Sequence, residues 1–140
     1  MAKYTIPVLV LAMASVFSVA QQKEIKHVPV KQTSAASGSQ MFDTYCAVCH
    51  GKDGKGSGPA ASALKTPPTD LTTLTQKNGG TFPSAHVTKA IQGDTAIPAH
   101  GTKEMPIWGH LFWHISQGHN AEVQMRLANL NKYIEEMQAK

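Results

Sequence analysis

The chain is expected to fold as an all-α domain, with short helices joined by long loops that wrap a large apolar object. Three observations predict this. Val123, Leu127, Leu130, Ile134 and Met137 step by four, three, four and three residues, the period of a helix with one buried face. No run alternates apolar and polar residues as a half-buried strand would. The loops are long for a chain of 140 residues with 6% aromatics, so a self-sufficient helix bundle is disfavoured.

Taken in order, residues 1–20 read as a secretory leader. Lys3 gives a basic start, Ile6–Ala20 is apolar, and Ser18 and Ala20 are the small residues before a cut at Gln21. The run is short for a span of roughly 20 apolar residues, and an uncleaved anchor is the alternative. Only in that case is membrane contact expected. Residues 21–37 lack apolar periodicity and read as a flexible or loosely docked tail, with His27 solvated. The folded domain is expected over residues 38–140.

Met41, Phe42, Tyr45, Cys46 and Cys49 share one helical face, with Ser37 or Ser39 as cap. Gly51 and Gly54 end that helix in a glycine-rich loop. Thr69 or Asp70 caps a short helix through Leu71 and Leu74, and Asn78-Gly79-Gly80 breaks it. Ser84 is expected to cap a helix carrying Val87, Ala90 and Ile91, with Gly93 after it. Asp94–Pro106 reads as irregular. A short helix follows over Leu111, Phe112 and Ile115, then the final helix after an Asn120 cap. The segment Asp70–Asp94 has no role that the sequence assigns.

The chain has 13 basic and 9 acidic residues, and leader removal takes only Lys3 from them. This mild positive balance suits an acidic partner surface. The basic residues are scattered, which with export argues against nucleic acid.

Both cysteines lie in Cys46-Ala47-Val48-Cys49-His50. Free thiols do not persist in an oxidising compartment, so the pair needs a chemical use. A disulfide of neighbours would close a tiny loop and stabilise little. A zinc site wants four ligands, and no second cysteine pair exists. A nucleophilic cysteine leaves the second thiol unexplained. Covalent haem attachment uses C-x-x-C-H as its specific pattern. On a helix, Cys46 and Cys49 lie about a turn apart and reach the two vinyl groups of one haem edge. His50 then ligates the iron.

With these features the sequence resembles a class I c-type cytochrome from Gly38 to the C-terminus. The resemblance rests on Gly38 and Phe42 before the motif, and on Leu130 with Tyr133 in the last helix. It also rests on Gly58-Pro59 after the motif and a late Met105-Pro106. It implies the class I cytochrome c fold around one covalently bound haem c. It implies that the Pro59 carbonyl orients His50, and that Met105 is the second axial ligand, with His100 as its main rival. Met125 falls off the stripe of the last helix, and Met137 lies on it. His110 and His114 share a helical face, read as solvated. Trp108 and Trp113 suit either haem shielding or core packing.

The implied function is single-electron transfer between a redox donor and acceptor, as a free exported carrier or a subunit of a larger redox complex. The bacterial periplasm is the expected location, and the chain itself is not expected to be an enzyme. Lys52, Lys55, Lys65 and Lys103 belong to segments expected near the haem edge, where they would steer acidic docking surfaces. A haem-based ligand sensor or peroxidase-like protein is the alternative if the sixth ligand is weak, and a haem-free zinc module is a further one.

Overall fold

The computed structural model describes residues 29–93 and 108–139. The leader, residues 21–28 of the tail, and the 94–107 segment with His100, Lys103 and Met105 lie outside the described residues.

The described residues form an all-α fold with no strand. In chain order come α1 (Gly38–Met41), a π-helical turn (Phe42–Cys46) and α2 (Ala47–His50). Single 3₁₀ turns follow at Ala61–Ala63 and Leu71–Thr73, the second leading into α3 (Leu74–Lys77). The remaining helices are α4 (Ser84–Gln92), α5 (Trp108–Ile115) and α6 (Asn120–Glu136). Among the described residues, no helix is long and apolar enough to cross a membrane.

The first helix is capped as the sequence suggests, with the Ser37 hydroxyl accepting from Gln40 N–H at 3.2 Å. It is not one straight α-helix. Within the π turn the Ala47 N–H reaches back to the Phe42 carbonyl, which inserts one extra residue. The buried stripe therefore advances by one position. Met41 is buried before the turn, Phe42, Tyr45 and Cys46 within it, and Ala47 and His50 after it. Cys49, expected on the buried face, is half-buried instead.

Helices α1 and α6 cross at Gly38. A Cβ there would run into the Asn129 carbonyl and come within 2.7 Å of Tyr133 Cβ, so the backbones approach this closely only because the residue is glycine. Phe42 meets Tyr133 beside the crossing, with ring centroids 5.4 Å apart. Leu127, Leu130 and Ile134 complete the buried face of α6. Val87 and Ile91 of α4 and Phe112 and Ile115 of α5 close the core.

Two expected caps are displaced by one residue. Ser84 is the first residue of α4, not its cap, because its polar groups serve α6. Its carbonyl accepts from buried Asn131 Nδ2 at 2.8 Å. Asn120 likewise opens α6 from inside, accepting from Gln124 Nε2 at 3.4 Å. His119 precedes it, with Nδ1 bonded to the Ser116 carbonyl at 2.8 Å.

The domain also begins earlier than Gly38. Thr33 and Ala35 are buried. The Tyr45 hydroxyl donates to the Lys31 carbonyl at 2.6 Å, and Asn129 Nδ2 donates to the Ala35 carbonyl at 2.9 Å. Arg126, 2% exposed, donates from Nη1 to the Thr33 carbonyl at 3.0 Å. From its other nitrogens it reaches Ser116 Oγ at 3.0 Å and Glu122 at 2.7 Å. A polar, aperiodic segment is thus bound through its backbone, which carries no sequence signature.

Candidate functional site

Cys46, Cys49 and His50 come together at the end of the first helix, followed by a tight loop. Gly51 stops α2 in a backbone conformation with φ of 76°, which glycine adopts at little cost. The chain then folds back, and the Gly56 N–H donates to the His50 carbonyl at 2.7 Å. Gly58 and Ala60 N–H groups donate to the Cys49 and Val48 carbonyls at 3.0 and 2.9 Å. These bonds satisfy carbonyls that the helix end leaves open.

They also decide the place of Pro59. The residue lies exposed between the two donors. The His50 ring turns instead to the next loop, where Nδ1 lies 3.0 Å from the Thr69 carbonyl. The expected bond to Pro59 is therefore replaced by one to Thr69. Sequence reasoning missed this acceptor because every residue carries a carbonyl.

A carbonyl oxygen only accepts, so Nδ1 carries the proton. Burial of His50 pushes its pKa below the usual imidazole value and outweighs the Thr69 bond, which raises it. The neutral ring then keeps a lone pair on Nε2, the form a metal ligand requires. The Cys46 thiol is pushed up to about 12, by burial first and then by the Cys49 charge beside it. A thiol held in that form is a poor nucleophile, which argues against an activated cysteine. Cys46 and Cys49 are both free. Among the described residues no three His, Cys, Asp or Glu side chains gather into a metal site. Two unpaired thiols beside one buried, neutral, oriented imidazole fit covalent haem attachment better than a structural zinc centre.

The aromatic surroundings divide. Trp108 is half-buried and stacks on Tyr45, with centroids 5.4 Å apart and planes at 32°. Trp113 is 54% exposed. Met125 is exposed and Met137 is half-buried, at the end of α6. Lys52, Lys55 and Lys65 are exposed on the loops after the motif.

Searches of curated proteins and of solved structures each returned no significant match. The cytochrome c family model matches residues 35–137. That span starts at the buried Ala35, takes in the whole C-x-x-C-H site and ends one residue past α6. The chain thus belongs to the cytochrome c family, and its fold is that of a haem-binding electron carrier.

Proposed function

We propose that the protein is an exported mono-haem c-type cytochrome that passes single electrons between redox partners. It acts as a soluble periplasmic carrier or as the cytochrome subunit of a larger complex. The observation that carries this reading is the buried His50 beside two free thiols, with Nδ1 bonded to Thr69 and Nε2 left as a lone-pair donor.

In this reading Cys46 and Cys49 would hold haem c through thioether bonds, and His50 and Met105 would ligate its iron. When bound, haem c supplies a reversible one-electron couple at its iron. The chain's own work is to fix that couple's surroundings. The Thr69 carbonyl holds the His50 tautomer and makes the ring a stronger donor. With Met105 as second ligand the iron would offer no open position to a substrate, which suits a carrier and not a catalyst. Its thioether also favours the ferrous state over what a second histidine would give. The apolar core around Phe42, Phe112 and Leu130 excludes water. Lys52, Lys55 and Lys65, exposed on the loops after the motif, steer acidic partner surfaces towards this end of the molecule, an effect that salt weakens.

Absorption spectra of the ferric and ferrous protein test this reading. The protein should be purified from a host with haem-attachment machinery. A low-spin c-type spectrum with the weak long-wavelength methionine-to-iron band of the ferric form is expected. High-spin character without that band would overturn the carrier reading in favour of ligand sensing or peroxide chemistry. A low-spin spectrum without the band would move the sixth ligand from Met105 to a histidine such as His100.

A further inference from the structure

We infer that Gln138, near the C-terminus, is a positioning residue for His50, acting through the turn that presents the Thr69 carbonyl. The inference rests on the proposed role of His50 as iron ligand and adds what holds the imidazole in place.

The Thr69 carbonyl belongs to no helix. It directly precedes Asp70, so its place follows from how the 70–75 turn is held. Part of the hold is local. The Asp70 carboxylate accepts from Thr72 N–H at 2.8 Å and from Thr72 Oγ1 at 2.6 Å. Leu71 N–H donates to the Gly54 carbonyl at 2.8 Å, which ties the turn to the loop after His50.

The rest comes from the opposite end of the sequence. Gln138 Nε2 donates to the Leu71 carbonyl at 2.7 Å and to the Ile134 carbonyl at 2.8 Å. Its Oε1 accepts from Thr75 N–H at 2.9 Å. One amide therefore grips both ends of the turn and joins it to the last turn of α6. Ala139 N–H adds a bond to the Thr72 carbonyl at 2.8 Å. The Gln138 side chain is the longer-reaching contact, and it is half-buried, so water competes with it only partly. Met137 sits beside the same loop, with its methyl 2.8 Å from where a Cβ on Gly54 would be. Gly54 and Leu71 link this C-terminal contact back to the residues around His50.

A fixed carbonyl acceptor orients a ligating imidazole and raises its basicity. A more basic ligand favours ferric iron and lowers the midpoint potential. Loss of the Gln138 grip lets the turn move, weakens the Nδ1–H bond and should raise the potential.

The test uses the full-length haem-loaded protein. Redox titration gives the midpoint potential, and proton NMR of the reduced form gives exchange of the His50 Nδ1 proton. Gln138→Ala should raise the potential and speed that exchange by about tenfold, the factor that one net buried hydrogen bond sets. Gln138→Glu keeps the acceptor for Thr75 but loses both donated bonds, and should behave like the alanine variant. Glu136→Ala, an exposed change two residues away, should move neither readout. If Gln138→Ala lowers thermal stability but leaves potential and exchange at the wild-type values, Gln138 is a staple only and the inference is overturned. An equal shift in Glu136→Ala overturns it too. The wild-type spectrum reports separately on the haem assignment. Failure there removes both readings, whereas a normal spectrum with unmoved variants removes the role of Gln138 alone.

Discussion

Arg126 holds a full charge at 2% exposure, and its donors go to Thr33, Ser116 and Glu122. A buried charge is tolerable only when its partners are in place. Replacing it by Met would keep much of the volume but leave the Thr33 carbonyl and Ser116 hydroxyl without their donor. Arg126→Met should lower unfolding free energy by about 3 kcal/mol, read from the denaturant midpoint at unchanged slope. No sequence pattern announced this residue, because an arginine between two apolar stripe positions reads as a solvated face. Cys46, Cys49 and His50 were legible for the opposite reason. Covalent attachment and ligation demand fixed residue types at a fixed spacing, so the chemistry is written in the side chains. The Thr69 carbonyl that His50 meets is backbone, and only the folded loop could reveal it.

The first helix shows at the level of elements what periodicity can and cannot carry. Its existence, a cap at Ser37 or Ser39 and its stop at Gly51 followed from the sequence, and Ser37 is the cap. The π turn did not, because an inserted residue leaves composition unchanged while rotating everything after it. That rotation buries His50 and leaves Val48 48% exposed. The Leu71–Thr73 turn was legible through Asp70, a polar residue ahead of an apolar one, and its carboxylate does cap the turn. The hydrogen bond from the Thr72 side chain is the largest influence and lowers the Asp70 pKa below the ordinary 3.8; burial opposes it, and the Thr72 N–H, Lys77 and Lys55 add to the lowering. A carboxylate with a depressed folded-state pKa contributes stability that is present above the unfolded value and is lost as pH falls through the folded one. Asp70→Ala should therefore cost about 1 kcal/mol at neutral pH, typical of a lost cap. That difference from wild type should shrink below pH 3.8 and vanish in stronger acid, in paired denaturant titrations.

For the molecule as a whole, the all-α architecture was legible because the α6 stripe is regular and strand alternation is missing. The domain's N-terminal limit was not. Residues 31–36 hold on through Tyr45, Arg126 and Asn129, side chains far away in the sequence. The same logic governs the C-terminus, where Gln138 grips a turn 63 to 67 residues earlier. The N-terminal end is thus tied through Tyr45 to the helix that carries the C-x-x-C-H site, and the C-terminal end to the turn that follows Thr69. The central claim is that Cys46 and Cys49 hold haem c covalently. It is tested most directly by unfolding the purified protein, extracting it with acidified organic solvent and recording the pyridine haemochrome of what stays with the polypeptide. The account predicts that haem remains on the chain, with the band position of a ring whose two vinyl groups are both saturated, and that Cys46→Ala with Cys49→Ala abolishes it. Haem that leaves with the solvent, or a colourless wild-type protein, would contradict it.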